Sequence, residues 1–336
     1  MKLFRIGVLI FFMSFLSAVK SQVNLDSLFE VWKNESKADT SRLKAIQKIA
    51  WDGYLNSKPD SAFYFAQLEY DFALKVDNKK YISIALGTQG FSLKRNGNYE
   101  KALEYFENGL KIREELGDKK GIWSSLGNIG VIYKKQGNYE KALEFYNKSL
   151  KITKEMSDKR AVSKLYNQIA IIYGKQNNKV KQLHYMNKSL NLKIELNDKK
   201  GIYLAYYNIG VIYVNKDNIK KALKYFNKSL KLAEEIRYIS GIANTYKIMG
   251  IIYQKKQGNN EKALKYFLKA KKIREEMNVI TGLDEITEAL MEVYEKLGNN
   301  KKALENYKLY VTIKDSLAKM DAEEQLYQFE IDKKYE

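Results

Sequence analysis

The 336-residue chain contains no cysteine, one proline and one histidine. Without cysteine it can form no disulfide, no thiolate metal site and no thiol nucleophile, and it cannot carry an acylated cysteine anchor. A single proline and the lack of a Gly/Ser-rich linker favour one continuous array over several separate domains. The stability of the fold must therefore come from packing.

Catalytic motifs are missing as well. The only histidine, His184, occupies an outward helical position, so we expect it to have a surface role rather than an acid–base or metal-binding one. The glycines stand at helix-packing and turn positions and form no phosphate-binding loop. The sequence therefore predicts no enzyme activity, no cofactor and no bound metal.

The charge of the chain is strongly positive. Lysine and arginine number 59 against 40 acidic residues, which gives a net charge of +19. Lysines can neutralise nucleic-acid phosphates, yet here they are scattered over helices and loops. We therefore expect a protein or peptide partner, or an anionic envelope component, rather than nucleic acid. An aromatic content of 13% indicates a folded chain with enough large side chains to build a core.

The chain repeats itself about every 40 residues. The segment from Gly97 to Gln136 returns almost unchanged from Gly137 to Gln176. A fixed period of this length is typical of stacked repeat units and not of globular enzymes. Gly-Asn and Asp-Asn pairs recur at the period and predict tight turns. Further copies begin at Asn177, Asp217, Gly258 and Gly298.

Each copy contains two apolar stripes with helical spacing. In the first stripe Leu126, Ile129 and Tyr133 lie three or four residues apart, with Gly130 among them. Glycine within a helix costs about 1 kcal/mol relative to alanine, so its recurrence in register predicts close contact with another helix. The second stripe alternates small and aromatic side chains at Ala142, Tyr146 and Ser149.

These two stripes resemble the tetratricopeptide repeat in its 40-residue variety. The resemblance implies an all-α fold, an α-solenoid of stacked antiparallel helical hairpins, over residues 41–310 in about seven repeats. Residues 22–40 are expected to form an N-terminal capping segment. The chain departs from the family pattern because the usual late proline is missing and because Gln182 replaces the alanine of the second stripe.

The face of the first helices opposite the core stripe would line the concave groove in which tetratricopeptide folds bind peptides. Amide and aliphatic side chains recur there side by side, as at Asn128 and Val131. Amides can bind a peptide backbone while aliphatic groups accept side chains. Alternatively, the aliphatic groups only pack neighbouring first helices together. The candidate groove residues are Ser124, Asn128, Val131, Lys164, Gln168, Ile171, Leu204, Asn208, Val211, Asn244 and Ile251.

Residues 311–336 depart from the repeat and are predicted to form an extended, coiled-coil-like helix. Tyr310 stands where other units have a small residue, so the helix is expected to leave the solenoid there. An apolar seam of about three heptads follows, interrupted by Glu324. It predicts either a weak homodimer or a helix that folds back as a cap. The seam consists of Tyr310, Ile313, Leu317, Met320, Tyr327 and Ile331.

The first 21 residues have the pattern of a signal peptide. Lys2 and Arg5 begin it, and the apolar stretch from Ile6 to Val19 is shorter than the about 20 residues that span a membrane. Cleavage after Ser21 would leave a mature chain without a transmembrane span, exported to the periplasm or the cell exterior. An uncleaved signal anchor and a cytosolic chain are the alternatives.

The sequence thus predicts a non-enzymatic scaffold that binds a protein or peptide. The C-terminal segment also resembles the linker that follows the repeats in exported bacterial tetratricopeptide sensor histidine kinases and regulators. This resemblance implies the extracytoplasmic sensory part of a bacterial signalling system. A freestanding periplasmic or secreted assembly scaffold is the alternative, and an enzyme is the third class.

Overall fold

The structure is a computed structural model that describes residues 24–335. The predicted signal peptide, residues 1–21, lies outside the described residues. Regular structure in the described part is entirely helical, as predicted. Among the helices of residues 24–335, none combines the length and the apolar character that crossing a membrane requires.

Fifteen α-helices follow one another along residues 24–335. They are α1 (Leu25–Lys33), α2 (Asp39–Lys48, continued by a π-helical turn Ile49–Tyr54), α3 (Pro59–Lys75), α4 (Lys79–Arg95), α5 (Tyr99–Glu115), α6 (Lys119–Lys135), α7 (Tyr139–Glu155), α8 (Lys159–Lys175), α9 (Lys179–Glu195), α10 (Lys199–Asn215), α11 (Ile219–Glu235), α12 (Ile239–Lys255), α13 (Asn260–Glu276), α14 (Leu283–Lys296) and α15 (Asn300–Tyr335).

The helices form two compact units, and the division falls after Ile132 within α6. In the first unit α2 pairs with α3, and α4 pairs with α5. In the second unit the pairs are α8 with α9, α10 with α11, α12 with α13, and α14 with α15. Within each unit, successive pairs also contact each other. The predicted all-α solenoid of helical hairpins is confirmed.

The turns explain why the period is strict. Gly97 has a left-handed backbone with φ 78°, and the amide of the next residue, Asn98, donates to the Leu93 carbonyl. This pattern closes a helix C-terminus. The Asn98 side chain then accepts from the Lys101 amide and caps the following helix. Left-handed residues recur at Asp77, Gly117, Gly137, Ser157, Asn177, Asn197, Asp217, Arg237, Gly258, Asn278 and Gly298.

The small residues of the first helices allow the close helix contact that the sequence predicts. A Cβ atom added to Gly210 would lie 2.9 Å from the Phe226 ring, and one added to Gly250 would lie 2.6 Å from the Phe267 ring. Both rings are fully buried. The glycines therefore make room for the aromatic side chains of the second helices.

Gln182 departs from the repeat pattern, and Gly174 of the preceding helix compensates for its size. The Gln182 side chain fills the space that a Cβ atom at Gly174 would need. In the next hairpin the equivalent residues are Val214 on the first helix and Ala222 on the second. The larger side chain of the pair is thus on the first helix there, whereas in the hairpin of Gly174 and Gln182 it is on the second. His184, on the same helix as Gln182, is exposed, as the sequence predicts.

The two ends of the chain differ from the repeats. At the N-terminus, α1 lies within the predicted capping segment. Its Trp32 packs edge-on against Phe72 at 5.3 Å, and the Arg42 guanidinium lies over both rings. At the C-terminus, α15 runs without a break through Tyr335. Ile313 of the predicted seam is 5% exposed, whereas Met320 is 53% exposed. The predicted extended C-terminal helix is confirmed, and its apolar seam is only partly covered.

Candidate functional site

In the first unit, two of the predicted groove residues, Ser124 and Asn128, line a pocket of about 200 Å³. We call it the Trp51 pocket. The Asn128 carbonyl oxygen accepts from Lys94 Nζ at 3.1 Å, and its amide donates to the Ser124 carbonyl at 2.8 Å. Both functions of this amide thus have partners within the chain. The pocket is lined by Gln47, Trp51, Ile84, Gly87, Thr88, Phe91, Phe106, Arg113, Ser124 and Asn128.

Aromatic side chains give the Trp51 pocket its apolar wall. Trp51 packs edge-on against Phe91 with ring centroids 4.9 Å apart, and Phe91 packs in the same way on Phe106 at 5.2 Å. Trp51 remains 39% exposed, and Lys94 Nζ lies 4.2 Å from the Phe91 centroid. An exposed indole beside a cation can hold an apolar group and an anionic group side by side.

Trp51 belongs to the π-helical turn that continues α2. Such turns are rare and occur frequently at functional sites. A Cβ atom added to Gly53, in the same turn, would lie 2.7 Å from Leu25 Cδ2 of α1. The absence of a side chain at Gly53 therefore allows α1 to approach the turn that presents Trp51.

Arg113 supplies a positive charge to the Trp51 pocket. Its guanidinium donates to the Ser83 carbonyl at 2.8 Å and to the Ser125 hydroxyl. A Cβ atom at Gly87 would lie 2.8 Å from the guanidinium, so this glycine makes room for it. Burial lowers the pKa of Arg113, and Asp118 acts in the opposite direction. An arginine nevertheless stays protonated, so the charge persists at every ordinary pH.

The groove residues predicted from the sequence do not include Trp51 and Phe91. Both follow the 40-residue register of Val131, which places Phe91 one repeat and Trp51 two repeats before it. Extending the register toward the N-terminus would have found them. The aliphatic positions of the later repeats are aromatic here, and this difference makes the pocket.

In the second unit a lysine contacts the Gln168 side chain of the predicted groove. Lys134 Nζ donates to the Gln168 carbonyl oxygen at 2.6 Å. Burial lowers the pKa of Lys134, and the neighbouring Lys135 lowers it further. Lys164 is exposed, and Leu204 is 42% exposed. Lys134 thus donates a hydrogen bond to the side-chain carbonyl oxygen of Gln168, as Lys94 does to that of Asn128.

Several predicted groove residues of the second unit serve packing. Val211 packs against the core cluster that contains Phe226 and Met249, and Ile251 packs against the cluster around Phe267. The Asn244 carbonyl oxygen accepts from Arg274 at 2.7 Å. These contacts favour the packing alternative for Val211 and Ile251. Ile171 and Asn208 are half-buried on the same face.

Among the side chains that the structure describes, no three histidine, aspartate or glutamate residues lie close enough together to hold a metal ion. The arrangement of the Trp51 pocket suits recognition by contact and charge.

The sequence matches the family model described as tetratricopeptide repeat over residues 81–155, 124–195 and 201–276. A search of curated proteins gives no match. Solved structures share the fold at low sequence identity. A signal transduction ATPase with a tetratricopeptide repeat sensor, from Pyrococcus horikoshii, is 19% identical with a TM-score of 0.63, and the match covers 87% of this chain and 45% of that chain.

A quorum sensor and a gene regulator are two further solved structures with a similar fold. The quorum sensor NprR from B. thuringiensis is 13% identical with a TM-score of 0.53, over 86% of this chain and 97% of that chain. The Rap conjugation gene regulator of the plasmid pLS20, in complex with the Phr* peptide, is 12% identical with a TM-score of 0.51, over 84% of this chain and 76% of that chain. At these identities the structures show the fold alone.

Proposed function

Because the chain belongs to the tetratricopeptide-repeat family, we propose that it is a non-enzymatic scaffold that binds a protein or peptide at the Trp51 pocket. The observation that supports this best is an exposed indole, Trp51, in a pocket that also contains the charge of Arg113. Tryptophan and arginine are among the residues enriched in the few side chains that carry most of the binding energy of protein interfaces. The polar lining from Gln47 and Ser124, both of which are partly exposed, can bind a peptide backbone.

The charge of the pocket indicates the kind of peptide. Arg113 lies in the lining, and Lys94 lies over Phe91, beside Trp51. An apolar side chain next to an acidic one would satisfy both the aromatic wall and the cations. Among proteins of similar fold, the Rap conjugation gene regulator of the plasmid pLS20 has a structure in complex with the Phr* peptide. We therefore propose a peptide segment with adjacent apolar and acidic residues as the ligand.

Trp51→Ala is expected to weaken binding of such peptides by about thirtyfold, because truncating a central tryptophan typically costs about 2 kcal/mol or more. Peptides selected on the immobilised protein from a random library supply the ligands, and calorimetric titration measures the affinities. Trp51→Phe keeps an aromatic wall and is expected to retain most of the affinity.

Leu268→Ala is the control, since Leu268 is a similarly exposed apolar residue on a second helix of the other unit. Its affinity should equal that of the parent protein. The proposal would be contradicted if the selected peptides bound Trp51→Ala as tightly as the parent protein. It would also be contradicted if the library yielded no binding peptide.

We also propose that the scaffold is the extracytoplasmic sensory part of a bacterial signalling system, with a freestanding periplasmic or secreted assembly scaffold as the alternative. Both forms require export. The mature chain is expected to begin at Gln22, because the apolar stretch is too short to span a membrane and is followed by a cleavage pattern. Intact-mass measurement of protein from the cell envelope should show the loss of the first 21 residues. Full-length protein in the cytosol would contradict export.

Weak self-association through α15 remains a proposal. Met320 of the predicted seam is 53% exposed. Burial of this side chain against a second copy would remove it from water. Sedimentation should show a concentration-dependent dimer that a chain ending at Ala318 does not form. A monomer at every concentration, together with a lower melting temperature for the shortened chain, would instead identify α15 as a cap.

A further inference from the structure

A second cavity, of about 420 Å³, lies in the second unit where the turn between α7 and α8 meets α9. We call it the Lys154 cavity. Its volume falls within the range of about 300 to 1,000 Å³ that small-ligand sites occupy. It lies away from the predicted groove, because Val162 and Tyr166 turn to the opposite side of α8 from Lys164 and Gln168. The cavity is lined by Lys154, Ser157, Lys159, Val162, Tyr166, Lys188, Asn191 and Leu192.

The lining of the Lys154 cavity combines an apolar surface with positive charge. Val162, Tyr166 and Leu192 supply the apolar part. Lys159 is paired with Glu195 at 2.9 Å. Lys154 and Lys188 have no carboxylate partner in the part of the chain that the structure describes. Two cations beside an apolar surface therefore lack a counter-charge.

Lys188 is held in place by aromatic rings. Its Nζ atom lies 5.6 Å from the Tyr166 centroid and 5.5 Å from the Tyr185 centroid. A cation over two aromatic faces is attracted by both rings, which favours this position of the side chain. The charge of Lys188 is thus presented beside Tyr166, at the boundary between the polar and apolar parts of the lining.

The neighbouring hairpin shows what makes this cavity distinct. There Lys228 lies over Tyr206 and Tyr225 in the same way, at 5.2 and 5.6 Å. The position that corresponds to Lys154 is Ile194, which is apolar and half exposed. In the hairpin after that the corresponding residue is Glu234, whose carboxylate contacts the Tyr246 hydroxyl. Two lysines without a carboxylate partner therefore distinguish the Lys154 cavity from the equivalent positions of these two hairpins.

We propose that the Lys154 cavity binds a carboxylate that bears an apolar group. The carboxylate pairs with Lys154 and Lys188, and the apolar group contacts Val162, Tyr166 and Leu192. A free fatty acid of medium length has this chemistry, and so does the C-terminal apolar residue of a peptide. An apolar lining disfavours small inorganic anions, because they would lose hydration without gaining contacts.

Calorimetric titration of the purified protein with octanoate and with octanamide tests the charge requirement. Octanoate is expected to bind, and octanamide, which has the same shape without the charge, is expected to bind at least about tenfold more weakly. Acetyl-leucyl-leucine and its C-terminal amide separate the two sources of the carboxylate. Tighter binding of octanoate would indicate a free acid, and tighter binding of the dipeptide acid would indicate a chain end.

Lys188→Ala and Lys154→Ile are each expected to lower the octanoate affinity by about tenfold, since each removes one charged partner. Lys154→Ile reproduces the residue of the next hairpin. Lys228→Ala is the matched control and should leave the affinity unchanged. All three side chains are exposed, so the melting temperature should not move. Absence of binding by both octanoate and acetyl-leucyl-leucine, equal binding of each acid and its amide, or an equal loss with Lys228→Ala would overturn the proposal.

Discussion

Gly210→Leu is expected to destabilise the second unit strongly. A Cβ atom at this position would lie 2.9 Å from the ring of Phe226, which is fully buried, so the ring or the helix must shift to admit it. Leucine adds three more carbon atoms in the same direction. Overpacking of this kind typically costs about 1 to 3 kcal/mol and sometimes more. Leucine recovers about 0.8 kcal/mol of helix propensity relative to glycine, which is too little to offset the clash.

Thermal and urea unfolding measure the effect of the Gly210 substitution. Gly210→Ala should fall between the parent and Gly210→Leu, because its single methyl group displaces the Phe226 ring less than the longer leucine side chain does. His184→Ala is the control, since this histidine is exposed, and it should be close to neutral. Equal midpoints for Gly210→Leu and His184→Ala would mean that α10 does not pack on α11 as described.

Glu69→Gln is expected to stabilise the first unit at neutral and alkaline pH. Glu69 is fully buried, and neither carboxylate oxygen has a hydrogen-bond partner among residues 24–335. It stands where Gly109, Ser189 and Ser229 stand in later repeats, a position that otherwise holds small residues. Burial raises the pKa of Glu69 from 4.5 to about 9. The folded state therefore holds the proton that the unfolded chain releases.

The direction of the pH dependence follows from this difference in pKa. Below about pH 4.5 both states are protonated, and the buried carboxyl costs no ionisation energy. As the pH rises from 4.5 toward 9, the unfolded chain alone loses the proton, and the stability of the folded state falls. At pH 7 the loss is about 3 kcal/mol, at about 1.4 kcal/mol for each pH unit above 4.5. Glutamine cannot ionise and removes this loss.

Urea unfolding of the parent and Glu69→Gln between pH 5 and pH 9 measures the predicted effect. The difference in stability should grow with pH and reach about 3 kcal/mol at neutrality. The exposed Glu107, in the same unit, provides the control Glu107→Gln, whose stability should parallel that of the parent at every pH. A pH-independent difference between Glu69→Gln and the parent would show that the carboxyl of Glu69 ionises in the folded state.

Much of the fold could be predicted because the repeat is a local property. Turn residues such as Gly97 and Asn177 recur at the period, and a left-handed backbone is open to glycine and asparagine. The small residues of the first helices likewise recur, and they predicted the close helix contact that the structure shows between Gly210 and Phe226. Each repeat contacts only its neighbours, so a pattern of one period determines most of the packing.

The candidate sites could be predicted only in part because they depend on residues that break the period. Val131 and Phe91 occupy equivalent positions, yet only the aromatic side chain, packed against Trp51, forms a pocket. The structure also shows that Lys94 donates a hydrogen bond to the side-chain carbonyl oxygen of Asn128, and that Val211 packs against a core cluster. Such contacts join side chains from different hairpins, and helical spacing alone does not report them.

The sequence by itself therefore determined the helical hairpins, their turns and the close approach of their helices, because these follow from spacing along one chain. Only the tertiary structure decided which exposed residues form a pocket. It brought Arg113 to Trp51, and it placed Lys154 and Lys188 around one apolar cavity. The physical reason is that each of these two pockets is lined by side chains from at least three helices, and the space left between them depends on the bulk and charge of each side chain.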